Sequence, residues 1–412
     1  MNENTFNIIL ANAPVKNGNR GCVALSITMM SLIAEVMKNA GLKCKLFLPD
    51  SEFRDSKRHE YKIQDELIAF EDCPYPKGLN FKENIKIALK SLIKRENKAK
   101  QIFENADFIL DIGQGDSFAD IYGVHRFNII DRVHTLARKY NKPYCILPQT
   151  IGPFKDEAIK EKALESIRKA QMCMTRDKLS YDYVITNVPE QKNIKEYIDV
   201  AFFMPYKRLE QDKGFIHVGL NISALLWHGG YTRDNQFGLK CDYQKVVKGI
   251  IDYFLEQPKT KIHLIPHVVS SERTVENDYA VSYDLWRGYN NPNLNLAPLA
   301  LSPIDIKDYI AGMDFFLGAR MHATIGAFSS GVPVVPMAYS RKFNGLFKDT
   351  LQYDAMVDLK VQDTGEIIAA IKEAFNERTE LKETIEQRKN GVIAERRKQL
   401  VYDLTKFFNL AK

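Results

Sequence analysis

The sequence predicts an α/β protein of two doubly wound, Rossmann-like domains facing across a cleft. Three observations carry this. Short apolar runs alternate with helix-period stretches along most of the chain. The 412 residues suit two domains of about 200 residues each. The alternation breaks once, around residues 202–213, where Pro205 opens a charged stretch, and then restarts.

In chain order, residues 6–11 form an apolar strand that enters the polar turn Lys16-Asn17-Gly18-Asn19-Arg20-Gly21. A helix over 22–40 closes at Gly41, and 43–48 is the next strand. Residues 51–80 show no clear period and predict no element. Residues 82–105 read as a lysine-rich amphipathic helix. Strands at 107–112, 144–147 and 172–175 are separated by helices at 126–140 and 156–170. After a boundary at 205/206 the second domain offers strands at 216–222, 262–265, 315–317 and 332–337. Its helices fall at 243–256, within 272–288, at 304–311 and at 321–328. The predicted division is therefore 1–205, 206–378 and a charged C-terminal helix over 379–412.

Composition narrows the function. A hydrophobic content of 45% and a charged content of 27% are ordinary for a globular protein. A net charge of +6 fits an anionic substrate, or weak attraction to an anionic membrane, and does not call for nucleic acid. Six cysteines lack C-x-x-C spacing, and several sit in apolar runs, as reduced core residues of a cytoplasmic protein do. The first residues carry no basic leader, and no apolar run is read as approaching the 18 residues of a membrane span. His263 and His267 are four apart, but Pro266 and the strand pattern break helical spacing, so no metal site is expected.

Polar side chains gather where strands end, and open α/β sheets bind ligands there. Arg320 and His322 follow one strand of the second domain; Tyr339, Arg341 and Lys342 follow the next. Permanent cations with one histidine point to a small, highly anionic substrate. In the first domain the Asn17–Gly21 turn opens a helix. Gly113-Gln114-Gly115-Asp116 lets a ligand approach backbone closely, with Asp116 and Asp120 available to sugar hydroxyls. Pro148-Gln149-Thr150-Ile151-Gly152-Pro153 is a stiff loop, and Arg176 lies at a helix start that Asp177 caps. Taken singly, each also fits a plain turn or a solvated surface residue.

Together these segments resemble the polysaccharide pyruvyl transferase family. The resemblance rests on Asn-Arg-Gly-Cys-Val-Ala-Leu (19–25), Gly-Asp-Ser-Phe-Ala-Asp (115–120), Leu-Pro-Gln-Thr-Ile-Gly-Pro-Phe (147–154), Arg-Asp (176–177), Gly-Leu-Asn-Ile-Ser (219–223), Gly-Ala-Arg-Met-His-Ala (318–323) and Tyr-x-x-Lys-x-x-Gly (339–345). It implies a GT-B-like fold. It implies transfer of the enolpyruvyl unit of phosphoenolpyruvate onto a sugar, usually as a cyclic ketal. Arg176, His322 and Lys342 match the donor-binding positions, with Arg320 and Arg341 as further cations. His322 is the expected general acid, and Asp116 or Asp120 the hydroxyl base. Asn19, Arg20, Gln149 and Tyr339 are expected on the acceptor side, and Arg176→Ala and Lys342→Ala are expected to leave the fold intact. No cofactor is needed beyond phosphoenolpyruvate as co-substrate. The acceptor is a sugar, free, nucleotide-linked or polyprenyl-diphosphate-linked. A nucleotide-sugar glycosyltransferase is the alternative enzyme, and a non-catalytic assembly partner the alternative of another class.

The C-terminal helix carries Val392, Ile393, Leu400, Val401, Leu404, Phe407 and Phe408 at three- and four-residue steps. Such a stripe either packs on the protein or, beside Arg388, Arg396, Arg397 and Lys398, rests on the inner face of the plasma membrane.

Overall fold

The computed structural model describes residues 5–50, 56–63, 65–76, 98–299 and 302–409. The chain divides into two compact units, one of residues 1–15, 25–200 and 398–412, the other of residues 16–24 and 201–397. The boundary near residue 200 lies close to the break in alternation. Two exchanges were not legible: the first turn, 16–24, counts with the second unit, and the C-terminal 379–412 is split between both.

The first unit is an eight-stranded sheet ordered β3-β4-β2-β1-β5-β6-β7-β8. Its strands are β1 (Thr5–Ala11), β2 (Lys43–Asp50), β3 (Lys57–Ile63), β4 (Glu66–Pro74), β5 (Phe108–Asp111), β6 (Tyr144–Gln149), β7 (Met172–Thr175) and β8 (Ile194–Glu196). All pairings are parallel except β3 with β4. Helices α1 (Arg20–Asn39), α2 (Gly123–Lys139), α3 (Glu157–Lys169) and α4 (Lys178–Asn187) alternate with them. Strand β6 is buried at every residue, as a central parallel strand covered on both faces must be. The order reverses at β1, between β2 and β5, so the Gly113–Asp116 loop stands at the switch point.

The second unit is a six-stranded, all-parallel sheet ordered β11-β10-β9-β12-β13-β14. Its strands are β9 (Ile216–Asn221), β10 (Thr260–Leu264), β11 (Leu294–Leu296), β12 (Phe315–Gly318), β13 (Val334–Ala338) and β14 (Val357–Asp358). Helices α5 (Ala224–Trp227), α6 (Tyr243–Glu256), α7 (Asp278–Tyr289), α8 (Pro303–Ile310), α9 (Met321–Ser329) and α10 (Arg341–Phe343) intervene, and α11 (Thr364–Asn376), α12 (Arg378–Arg388) and α13 (Ala394–Phe407) follow. Here the reversal falls at β9, between β10 and β12. The loops after these three strands carry the polar residues described below.

The structure departs from the sequence expectations in three places, and a further expectation lies largely outside the described residues. Residues 51–80 hold the β3–β4 hairpin; β3 is half exposed and strongly charged, so no apolar period marks it. The predicted helix at 82–105 falls largely outside the described residues, though 98–104 are helical. Helix α1, 20 residues, is by length and composition apolar enough to cross a membrane, contrary to the expectation that no run is. Its Leu25, Ile27, Met29, Met30, Ile33 and Val36 are instead buried in the fold, as in a core helix. The C-terminal helix is broken at Gly391, whose φ of −93° and ψ of −108° are not helical.

The C-terminal stripe is spent on the protein rather than offered to a bilayer. Leu400, Leu404, Phe407 and Phe408 are buried, and the last two rings pack 5.3 and 5.1 Å from Phe108. Tyr197 donates its hydroxyl to Asp403 on α13.

A buried polar cluster joins β5, α2 and α3. His134 is fully buried between Asp111, 3.0 Å away, and Asp131, 3.1 Å away. Asp131 also accepts from Ser166 Oγ at 2.6 Å, and Asp111 accepts from Asn12 at 2.6 Å. Burial opposes the imidazolium, but the two carboxylates outweigh it and lift the His134 pKa to about 9. Burial likewise opposes the Asp131 carboxylate, yet His134, Ser166 and Lys162 hold its pKa below the usual range. A folded-state pKa raised above the ordinary 6.5 stabilises fully below pH 6.5, and that stabilisation is lost as pH rises through about 9. Urea unfolding at pH 6 and pH 9.5 should therefore show stability falling by up to about 3 kcal/mol. In the same window the His134 ring should titrate by NMR; a midpoint near 6.5 would remove the cluster's charge.

Candidate functional site

The polar centre of the second unit is built around one carboxylate. Asp278 opens α7, whose N-cap is Asn277, and is wholly buried. Its Oδ1 accepts from the Ala224 amide at 2.9 Å and from Arg320 Nη2 at 2.8 Å. Its Oδ2 accepts from the Val268 amide at 2.9 Å and the His267 amide at 3.3 Å. Asp278 thus ties the loops after β9, β10 and β12 together. Arg320 also donates to the Glu276 carbonyl at 3.1 Å. Burial disfavours the guanidinium, but Asp278 more than compensates and raises its pKa further. Asn221, at the end of β9, accepts from the Arg320 amide and donates to the Ile265 carbonyl, both at 2.9 Å.

His322 lies on the first turn of α9, whose N-cap is Arg320. A Cβ added at Gly21 would stand 2.2 Å from His322 Nδ1, so glycine is required there by space. The turn carrying Gly21 is held to the loop after β10. Arg20 N donates to the His267 carbonyl at 3.2 Å, Val269 N donates to the Gly18 carbonyl at 2.9 Å, and Asn19 bridges Val268. Asn19 Oδ1 accepts from Gly21 N at 3.0 Å. The amides of Arg20 and Gly21 at this helix start are thus used internally. Asn19 and Arg20, expected on the acceptor side of the first domain, belong with His322 and Arg320 in the second unit.

The loop after β13 supplies the remaining cations. The Tyr339 ring packs against Phe237 and Phe343, with centroids 5.3 and 5.7 Å away. Lys342 Nζ stands 6.0 Å over the Tyr339 ring, and Arg341 is exposed. Tyr231 donates to Glu276 at 2.6 Å, which ties the loop after α5 to the segment holding Arg320.

The predicted residues of the first unit are more engaged than the sequence suggested. Arg176 is buried, donating to Asp199 at 2.6 Å and to Thr150 Oγ1 at 2.9 Å. Asp177 caps α4 as expected, accepting from Ser180 N at 2.8 Å. Gln149 is wholly buried; its Nε2 donates to the Asp111 carbonyl at 3.1 Å, and it fills the space over Gly113. It is part of the loop's scaffold. Asp120 accepts from the amides of Lys155 at 2.5 Å and Asp156 at 2.9 Å. Asp116 accepts from the Tyr122 hydroxyl at 3.1 Å. Gly115 lies against Arg176 and Leu25, where any side chain would collide.

Sequence reasoning missed Asp278 and Asp199, took Asn221 only as part of the 219–223 motif, and weighed His267 only as a metal ligand. Asp278 follows the asparagine that caps α7 and has the pattern of an ordinary helix start. Only folding shows that its carboxylate faces Arg320.

Asp278→Ala should destabilise the second unit by about 3–5 kcal/mol, because it strands the Arg320 guanidinium in a buried site; a denaturant midpoint unchanged from wild type would contradict this. Arg176→Ala should behave alike by stranding Asp199, contrary to the expectation that the fold stays intact. Gly21→Ala should lower turnover at least tenfold by displacing the His322 ring, with secondary structure by circular dichroism retained.

Comparisons with known proteins agree with this architecture. A family model described as polysaccharide pyruvyl transferase matches residues 19–341. The amylovoran biosynthesis protein AmsJ of Erwinia amylovora is 21% identical over 357 residues, covering 82% of this chain and 81% of that protein. Among solved structures, the UDP-N-acetylglucosamine 2-epimerase of Neisseria meningitidis superposes with a TM-score of 0.57 at 11% identity, covering 98% of this chain and 100% of that one. Sucrose-phosphate synthase of Thermosynechococcus elongatus gives 0.56 at 11% identity, covering 98% and 99%. At such identities the likeness shows the fold, a GT-B-like pair of Rossmann-like domains. With the family match spanning most of the chain, and with the matched Arg320 and His322 set at the switch point of the second sheet, this protein belongs to the polysaccharide pyruvyl transferase family.

Proposed function

We propose that the chain moves the enolpyruvyl unit of phosphoenolpyruvate onto a sugar of a polysaccharide precursor, forms a pyruvate ketal there and releases phosphate. The observation that carries this reading is the pairing of family membership with His322 and Arg320 at the β9–β12 switch point. Phosphoenolpyruvate presents a carboxylate and a phosphate. Lys342 and Arg341 are the cations of the second unit that face these charges in this reading. Arg320, locked to Asp278, shapes the site and lends positive potential rather than swinging onto the ligand. Arg176, neutralised by Asp199, likewise shapes the first unit rather than swinging onto the ligand.

The reaction needs a proton on the methylene carbon, which leaves an oxocarbenium-like centre at C2. His322 delivers that proton. One sugar hydroxyl attacks C2 and loses its proton, which restores His322 or passes to a carboxylate. The C2–O bond to phosphate breaks, and phosphate leaves with the electron pair. A second hydroxyl closes the ring, and its proton leaves with the phosphate. Asp116 is the better candidate base, because Asp120 is committed to two backbone amides. The acceptor in this reading is a sugar, free or carried on a polyprenyl diphosphate, and the work is done at the cytoplasmic face of the membrane.

The test is incubation with phosphoenolpyruvate and a panel of free and lipid-linked glycans, read as the mass gain of a pyruvyl ketal. A parallel arm with UDP-sugars should give no transfer; transfer there and none from phosphoenolpyruvate would make the chain a glycosyltransferase instead. Lys342→Ala should weaken apparent donor affinity tenfold or more, the cost of one charge-assisted contact at about 1.5–3 kcal/mol. His322→Asn should cut turnover far more than donor affinity, since it keeps a hydrogen-bond donor but loses the proton. An equal loss in affinity with turnover at saturation untouched would reassign His322 to anion binding. Side-chain cations supply the charge stabilisation in this scheme, so EDTA should leave the rate unchanged.

A further inference from the structure

Behind His322 lies a buried polar group that the proposed chemistry does not use. The His267 side chain is only 4% exposed, and neither ring nitrogen has a hydrogen-bond partner among the described residues. Its backbone is fully committed: the amide donates to Asp278 and the carbonyl accepts from Arg20 N. Buried polar groups left unsatisfied cost about 1–3 kcal/mol each and call for an explanation.

His267 and His322 line one small cavity, with Lys307, Met204, Ala24 and Gly326 among its other walls. Its volume of about 10 Å³ is the space of a single water. Lys307, on α8, is a second unusual group there. Its side chain is 2% exposed; Nζ donates to the Met204 carbonyl at 2.6 Å and stands 5.1 Å over the Tyr206 ring. Among the described residues no carboxylate forms an ion pair with it. Burial, and then Lys389, push its pKa down to about 7. Burial holds the His267 imidazole neutral, helped by the charges of His322, Arg320 and Arg20. The charged and titratable groups around the cavity are therefore Arg20 from the first turn, His267 after β10, Asp278 on α7, Lys307 on α8, Arg320 before α9, and Lys389 beyond Lys307.

Resting on the reading that His322 is the proton donor, we infer that His267 and Lys307 are positioning residues for it. They hold one water in the shared cavity, and that water hydrogen-bonds the His322 ring and fixes which nitrogen keeps the proton when the ring is neutral, and so which one gives its proton up. A neutral imidazole suits this role, because it offers both an acceptor and a donor to a water without adding a like charge beside His322. With Lys307 Nζ as third neighbour, the water has the two to four polar partners that a buried water requires. The arrangement resolves the orphaned nitrogens of His267 and gives the Lys307 amine a second acceptor beside the Met204 carbonyl.

The test uses the full chain labelled with ¹⁵N-histidine. Eight histidines give a tractable spectrum, and His322→Asn identifies the His322 signals. The wild type should show a single His322 tautomer at pH 7.5. His267→Phe, which fills the cavity without a polar atom, and Lys307→Met should each give a mixture of tautomers. His267→Gln, which still holds a water, should retain most of the wild-type pattern. With phosphoenolpyruvate and an acceptor found by the glycan panel, His267→Phe should lower kcat about tenfold and leave KM for the donor within twofold. An unchanged His322 tautomer in folded Lys307→Met and folded His267→Phe would overturn the inference. Because the tautomer is read without substrate, this result stands apart from whether phosphoenolpyruvate proves to be the donor.

Discussion

The second unit depends on the Asp278 carboxylate. A buried carboxylate is costly to desolvate, and Asp278 meets that cost with three amides from two loops and a guanidinium from a third. Three parallel strands deliver those loops to the same end of the sheet. Nothing in a parallel sheet by itself fixes how the loops stand to one another. A carboxylate that accepts from all three does, since none can move without leaving an amide or a charge unpaired. Arg320 is thereby held in one conformation, and His322, two residues on, begins its helix from a fixed point.

The same device recurs in the first unit with the residues exchanged. There Arg176 is the buried group, held by Asp199 and Thr150, and the glycine loop after β5 packs directly on its guanidinium. Arg176, which the family resemblance marks for the donor, and Arg320, expected as a further cation, are both held in buried ion pairs. Side chains so restrained cannot act as mobile clamps. Their place in the fold is to hold the surrounding loops in one arrangement. Beside Tyr339, Arg341 is exposed and Lys342 half-buried.

Glycine serves this site chiefly by making room. Gly21 admits the His322 ring, Gly113 admits Gln149, and Gly115 admits Arg176. The first has ordinary dihedrals, so its need is spatial alone; the other two also sit at positive φ, where a side chain would be strained as well. Two segments that looked like ligand-facing loops in the sequence are thus partly cradles for the protein's own side chains.

The sequence by itself determined the alternating elements, the near position of the domain boundary, and the strand ends that carry Arg320, His322, Tyr339 and Lys342. These follow from local period and from turn residues, which the chain displays in order. It did not show the β3–β4 hairpin, because an exposed charged strand has no apolar face to mark it. It also gave the C-terminal stripe two readings, protein or bilayer, and only the burial of Phe407 and Phe408 against Phe108 chose between them. The largest difference is in the site. Asn19 and Arg20 lie some 300 residues from His322 along the chain and beside it in the fold. Asp278, Asp199 and His267 carry no motif, because a buried carboxylate or imidazole is defined by what surrounds it. Their roles were decided by tertiary structure, where long-range packing brings each to the one partner, or the one cavity, that gives it a function.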